Sequence, residues 1–396
     1  MSLVGRRLVA VKICRARLTP YGLPLTRRLQ TAHGWLDERR GWLLELETDS
    51  GARGRGDACP FPGLPISDSA GSGFGMESWR SCGQRLEALA GALVGRSIAD
   101  RAALGEICAT RAPDAPAARF AVDCAFHELA ALDRSSSVAD LLADPAGPRP
   151  RSSLAVNALI SASRPGEIAA EALALREAGF ETFKLKLGAA LPADDFKRVE
   201  ALRVALGSGP LIRLDANGAW SREQASSLLR ELKPLEIELI EQPVAADDIE
   251  GLLALRLAGH VPIAADESLA DPAVARALIA THAADVVVLK PAVLGGLGAA
   301  LRFARAAAAA GMGCFVTGLM DSALGLGAAI HLAAALPDGG FAHGLGTSTL
   351  FDFDLAPGPE IRSGRLVVPA GPGWGIETDP EGLARARLGE DIEVLP

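Results

Sequence analysis

TFKLKLG (182–188), PLIRLDANG (210–218), IELIEQP (237–243), VPIAADES (261–268) and ADVVVLKP (284–291) are short apolar runs, each carrying a charge at or near its end. Lys184 and Lys186 stand two apart, so on a strand they share one face. Asp215, Glu241, Asp266 and Lys290 mark the ends of the next four runs. From 186 to 215, 241, 266 and 290 the steps are 29, 26, 25 and 24 residues. One strand, one helix and two loops of a β/α barrel need about that length. The charges therefore recur in phase with the repeat. They are expected on the C-terminal rim of consecutive strands, where barrel active sites lie.

Working outward, LAVNALI (154–160) precedes these runs, and GCFVTGL (313–319) and FAHGLGT (341–347) follow them, giving eight strand candidates. EIAAEALALREAG (167–179) and EQASSLLRELK (223–233) have helical texture between strands. Strands alternating with helices imply a parallel sheet, and eight of them favour a closed TIM-type barrel over an open doubly wound sheet. The open sheet would carry a Gly-rich nucleotide loop after its first strand. LAVNALISASRPG has none, and VLGGLG (293–298) lacks the fingerprint spacing. Upstream, residues 8–18 and 42–48 read as strands joined by a loop rich in Pro, Gly and Arg. GRGDACPFPGLP (54–65) contains a second loop, 76–134 reads as helical, and 143–152 reads as a linker. The expected division is an α+β capping domain over 1–130 and a barrel over 150–355.

With 396 residues, 49% hydrophobic and 22% charged, the chain has ample material for two globular domains. A net charge of −8 and the lack of a Lys/Arg-rich run argue against nucleic acid as a partner. An uninterrupted apolar run of about 18 residues, which a membrane span needs, is missing. The opening MSLVGRRLVAVKICRARL superficially resembles a signal peptide, but Lys12 and Arg15 break its apolar run, so a strand is expected instead. The six cysteines are scattered, without CxxC or zinc spacing, as in a reduced, cytoplasmic protein. A homo-oligomer is compatible with the sequence.

The residue types define the chemistry. Three carboxylates converging from neighbouring strands repel one another unless a cation sits between them. Hard oxygen ligands with open positions suit magnesium (Mg2+) better than zinc. Lysines precede and follow the triad. Near a dication and a second ammonium, a lysine is expected to have a lowered pKa and to act as a base near neutral pH. Such a set can remove a proton α to a carboxylate and stabilise the enediolate. Each residue alone has a simpler role. A lone acidic strand end is usually a helix cap or a solvated loop charge. Asp215 could fix its own turn through Asn217 and Gly218, Glu267 and Ser268 could cap, and Lys184 could snorkel. Charges on buried strands need partners, however, and the joint phasing disfavours a purely structural reading. His127 and His331, in apolar helical runs, read as packing residues.

The order K-x-K, D-x-N, E-Q-P, D-E-S, K-P resembles the muconate-lactonizing subgroup of the enolase superfamily, over nearly the whole chain. RFAVDCAFHELAA (119–131) is similar to the helix that closes the family's capping domain. GRLVVPAGPGWGIETD (364–379) is similar to its C-terminal return, so 356–396, and 364–379 in particular, is expected to pack on the cap rather than the barrel base. Within the subgroup, ERRGWLLEL (38–46), GRGDACPFPGLP, LKPAVLGGL (289–297) and ALPDGGFAHGLGTSTLFDFDL (335–355) resemble o-succinylbenzoate synthases. The resemblance implies Asp215, Glu241 and Asp266 as magnesium ligands, Lys186 as acid/base, Lys184 as its assistant and Lys290 as electrostatic support across the ring. Asn217, Asp321, Arg39 and Pro62 are the candidate substrate contacts. A lysine base paired with magnesium is the known pattern of that superfamily, not a deduction from this chain. Asp57 and Asp321 stand where the family usually, or often, has Glu. Leu345-Gly346-Thr347 replaces the Asp-x-Asp usual in dipeptide epimerases, which argues against an α-ammonium substrate.

The implied reaction is syn dehydration of a succinyl-hydroxy-cyclohexadiene carboxylate to 2-succinylbenzoate in menaquinone synthesis, with a small anionic carboxylate as substrate. Two rivals stand beside it. One is an N-succinylamino acid racemase, with Lys186 and Lys290 acting from opposite faces. The other is a barrel that has lost catalysis and serves in binding or structure.

Overall fold

The computed structural model describes residues 11–31, 34–62, 65–67 and 74–396. Residues 8–10 of the first strand reading and 63–64 of the Pro-rich loop lie outside the described residues. The capping part opens with β1 (Ile13–Thr31), β2 (Gly34–Thr48) and β3 (Arg53–Ala58). The expected loop between the first two strands is instead strand. The two pair antiparallel from Ile13↔Thr48 to Thr31↔Gly34, with irregularities between Ile13 and Arg15 and between Pro24 and Leu29. Pro20 and Pro24 are tolerated because β1 meets only isolated partners on its outer edge beyond Leu18. A short hairpin, β4 (Pro65–Ser67) and β5 (Phe74–Met76), leads to α1 (Trp79–Leu93), α2 (Arg101–Arg111), α3 (Pro116–Asp133) and α4 (Val138–Leu142). Ser78 and Ser81 form a capping box that starts α1.

The glycines of GRGD set how closely α3 lies on the sheet. A Cβ on Gly54 would fall 2.2 Å from Ala125 O, and one on Gly56 would fall 1.8 Å from Ala121 O. Only glycine allows that approach. α3 then serves both halves. Ala121, Ala125 and Leu129 join the core of the cap, while Phe120 and Cys124 join that of the barrel.

After β6 (Ser153–Ala155) come seven parallel strands: β7 (Ala158–Ile160), β8 (Thr182–Lys186), β9 (Leu211–Asp215), β10 (Leu239–Glu241), β11 (Ile263–Ala265), β12 (Val286–Leu289) and β13 (Gly313–Val316). Helices between them include α5 (Pro165–Glu177), α6 (Pro192–Leu206), α7 (Arg222–Leu232), α8 (Ile249–Ala258), α9 (Pro272–Thr281), α10 (Pro291–Leu294) and α11 (Leu297–Ala309), with α12 (Ala323–Ala335) following β13. The strands pair in sequence order. The expected eighth strand shrinks to the bridges Thr317↔Gly344 and Val156↔His343, which close the ring. The fold is thus a modified β/α barrel under an α+β cap. Inside it, Leu239, Ala264, Val286, Val288 and Phe315 fill the floor. Arg213 lies fully buried there, paired with Glu238 at 2.6 Å and stacked 4.5 Å over Phe315.

The chain ends with β14 (Ile361–Arg362), β15 (Arg365–Val367), α13 (Pro380–Ala386) and β16 (Ile392–Val394). The expectation that 364–379 avoids the barrel base needs correcting. β15 pairs with β6 at the foot of the first barrel strand, covering an otherwise open edge. Further on, Trp374 Nε1 donates to Arg55 O at 3.2 Å. β16, beyond that stretch, pairs with β1 and completes the cap sheet. His331 is buried, with Nδ1 accepting from Ala139 N at 3.2 Å and Nε2 2.8 Å from Trp374 O, a packing role. No helix among the described residues is long and apolar enough to cross a membrane.

Candidate active site

Strand endings bring the charged residues together. Lys184, on the inner face of β8, places Nζ 2.8 Å from both Glu241 carboxylate oxygens and 2.9 Å from Asp215 Oδ2. Asp215 and Glu241 close β9 and β10 as register partners. Asp266, one residue past β11, is ion-paired with Lys290, one residue past β12. All three carboxylates are buried. Lys186, the last residue of β8, is exposed and makes no hydrogen bond or ion pair among the described residues.

The backbone beneath is held by polar side chains. Asn217 N donates to Asp215 Oδ1 at 3.1 Å, so Asp215 does fix its own turn, and Asn217 sits at φ +44°. Asn217 Nδ2 donates to Glu267 Oε1 at 2.9 Å. Gln242 Oε1 accepts from Asp266 N at 3.0 Å and Ser268 N at 3.2 Å, locking β10 to the turn that carries Asp266. Gln242 and Glu267 were not singled out as site residues in the sequence. The signal was their adjacency to the acidic strand ends.

Burial pulls the Lys184 ammonium down, but Asp215, Glu241 and Asp266 outweigh it and raise its pKa above the usual lysine value. Lys290 is raised likewise, by Asp266, Glu267 and Glu241 against burial. The lowering expected from the sequence belongs to a lysine beside a dication; among the protein's own charges these two are raised, because four carboxylates surround them. Burial also raises Asp215, yet Lys184, Lys186 and Lys290 bring it below the usual range. Burial lifts Glu241 and Asp266 above it.

As the side chains stand, no three acidic, His or Cys groups among the described residues close on one point as metal ligands would. Lys184 and Lys290 hold the carboxylate oxygens instead. The donor set still fits a hard dication. It is all oxygen, it comes from three consecutive strands, and the buried Glu267 Oε2 beside it has no hydrogen-bond donor.

The candidate substrate contacts divide. Arg39 is fully buried and donates to four backbone carbonyls: Met320 at 3.1 Å, Pro60 at 2.9 Å, Cys59 at 2.8 Å and Leu319 at 3.4 Å. It clamps a cap loop to a barrel loop, and this corrects its assignment as a substrate contact. Pro62 is exposed just beyond that cap loop. Asp321 is buried, accepting from Leu319 N at 2.8 Å, while its Oδ1 has no partner. Asp57 accepts from Tyr21 Oη, from Ser322 N at 3.0 Å and from Ser322 Oγ at 2.9 Å, a second cap-to-barrel tie.

Known proteins share this architecture. Residues 16–143 match the mandelate racemase / muconate lactonizing enzyme N-terminal domain, and residues 167–382 match the enolase C-terminal domain-like family. The L-Ala-D/L-Glu epimerase of Bacillus subtilis is 31% identical over 378 residues, covering 92% of this chain and 97% of that protein. The crystal structure of N-succinyl Arg/Lys racemase from Bacillus cereus aligns with a TM-score of 0.87 at 27% identity, over 97% of this chain and 100% of that one. A dipeptide epimerase from Cytophaga hutchinsonii, complexed with Mg and a dipeptide, aligns at 0.85 and 26% identity, over 96% and 99%. Acidic strand ends flanked by lysines, in such a barrel under such a cap, define an enzyme of the enolase superfamily. Within it, the chain belongs to the mandelate racemase / muconate lactonizing enzyme family, in the muconate-lactonizing subgroup.

Proposed function

We propose that the chain is an o-succinylbenzoate synthase, a hydro-lyase of menaquinone synthesis that acts on a small anionic carboxylate in the cytoplasm. The observation that favours it is the asymmetry of the two flanking lysines: among the described residues Lys186 makes no hydrogen bond or ion pair, whereas Lys290 is tied to Asp266. Elimination from one face needs one acid/base, and racemisation needs two. Lys186 takes the proton α to the ring carboxylate, breaking the C–H bond. The same lysine, now an ammonium, returns a proton as the C–O bond breaks on the same face, and water leaves. Lys184 holds Glu241 and Asp215 in place, and Lys290 supplies positive charge across the ring. Asp215, Glu241 and Asp266 would hold Mg2+, which offsets the charge of the enolised carboxylate. The division into a cap, 1–130 with 356–396, and a barrel, 150–355, belongs to the same reading, with β15 of the return segment pairing on β6 of the barrel.

A second reading, N-succinylamino acid racemase, is favoured by the likeness to the Bacillus cereus racemase. Dehydration and racemisation rates, measured with and without magnesium on one preparation, decide between them. A faster racemisation displaces the synthase reading. Absence of any turnover would leave a non-catalytic barrel.

A further inference from the structure

Thr317 stands one residue past β13, and its side chain is the next inward-facing one after Phe315 on the barrel floor. It is 7% exposed, and its Oγ1 is buried without a hydrogen-bond partner among the described residues. The pairing registers place it in the catalytic layer. Leu289 opposes Val316, so Thr317 lies beside Lys290. Side chains from alternate strands share a layer in such barrels. Leu159 on β7, Asp215 on β9, Asp266 after β11 and Thr317 after β13 form one such set. Two carboxylates occupy one half of the ring, and Leu159, 41% exposed, and Thr317 face them from the other.

That second half has a distinct chemistry. β7, the segment 313–319 and the closing bridge carry no inward cationic side chain, since His343 turns its Nδ1 outward to Val316 N. The neighbouring Lys290 ammonium is itself ion-paired with Asp266. Gly344 leaves the floor open beside the hydroxyl, as a Cβ there would come 3.0 Å from Thr317 Cβ. The Asn157 amide oxygen lies on the other side of Gly344, 3.5 Å from where a Cβ would stand, and among the described residues the Thr317 hydroxyl beside it is buried and unused.

We propose that Thr317 is a specificity-determining residue: its hydroxyl donates to a neutral acyl oxygen, ketone or amide, on the non-reacting arm of the substrate, which lies over Leu159. This role rests on the enolising site proposed above. A buried polar group that must be satisfied by ligand discriminates strongly against analogues lacking the partner atom.

The test compares wild type, Thr317→Val, which keeps the shape, and Thr317→Ser, which keeps the hydroxyl. Binding of 2-succinylbenzoate is measured beside an analogue whose ketone is a methylene group. Thr317→Val should weaken 2-succinylbenzoate about tenfold and leave the analogue unchanged, with Thr317→Ser near wild type. The unliganded Thr317→Val protein should melt no lower than wild type, because it loses an unsatisfied hydroxyl. Equal losses for both ligands, or no loss for either, overturn the assignment. If wild type neither dehydrates the cyclohexadiene nor binds 2-succinylbenzoate, the synthase reading fails separately. Thr317 is then judged by kcat/KM for N-succinylamino acid racemisation. A drop in Thr317→Val with recovery in Thr317→Ser supports it, and equal values or no turnover overturn it.

Discussion

Lys184 Nζ lies 2.8 Å from each carboxylate oxygen of Glu241, and it reaches Asp215 at 2.9 Å. One ammonium thus bridges two acidic strand ends and offsets part of their mutual repulsion on a buried rim. Among the described residues, Lys290 pairs with Asp266 alone. The ammoniums and a dication compete for the same oxygens.

Removing a single ligand charge should therefore impair metal binding before it impairs the fold. Asp215→Asn, Glu241→Gln and Asp266→Asn should each lower activity by roughly a thousandfold. Saturating magnesium, at about a hundred times its Kd, should stabilise the wild type by about 2.7 kcal/mol and the three variants by much less. Thermal melts with and without magnesium, beside calorimetric titration, read both effects. Full activity after exhaustive chelation would rule out the metal.

The lysines separate by role. Lys186→Ala should abolish dehydration and racemisation alike. Lys290→Arg should keep measurable dehydration, because the charge persists, yet lose racemisation, because a guanidinium cannot act as a base near neutral pH. Deuterium incorporation at the substrate α-carbon in heavy water, measured beside product formation, distinguishes these outcomes. Near wild-type dehydration by Lys186→Ala would show that the base lies elsewhere.

The rim was legible because a charge closing an apolar strand is conspicuous, and because 186, 215, 241, 266 and 290 keep the barrel's step. The seven parallel strands followed from the same alternation. What stayed hidden depends on partners distant in sequence. Arg39 looks like one arginine among many until Met320 and Leu319, some 280 positions away, are seen to accept from it. Arg213 gave no sign that it would be buried against Phe315. Pro20 and Pro24 masked the long hairpin, since local proline signals suggest a loop while an outer edge with few partners permits a strand.

Arg39 offers a direct measure of how firmly cap and barrel are joined. Arg39→Met keeps bulk but leaves four carbonyls without their donor. It should cost on the order of 3 kcal/mol, read as a lower urea midpoint. Arg39→Lys should restore little, because a point charge cannot span the fork. If Arg39 were chiefly a substrate contact, the methionine variant would unfold like wild type and differ only in KM.

The last expectation concerns pH and the buried Asp57. Burial, with Asp321 adding to it, raises its pKa from 3.8 to about 7, although Tyr21 and Ser322 pull the other way. The folded protein thus prefers the protonated form. The contribution of Asp57 to stability is complete below its unfolded value, falls as pH rises from about 4 to about 7, and is absent above that. Over that interval it amounts to roughly 4 kcal/mol at most. Asp57→Asn mimics the protonated acid: its amide oxygen can still accept from Ser322, and its NH2 can donate to Tyr21 Oη. Urea midpoints of wild type should fall between pH 4.5 and pH 8, and those of Asp57→Asn should fall less, so that the variant is the more stable protein at pH 8. Some slope should remain, because burial also raises Asp354 to about 6. Parallel pH curves for the two proteins would show that Asp57 is ionised throughout, with the tie between Tyr21 and Ser322 resting on a carboxylate after all.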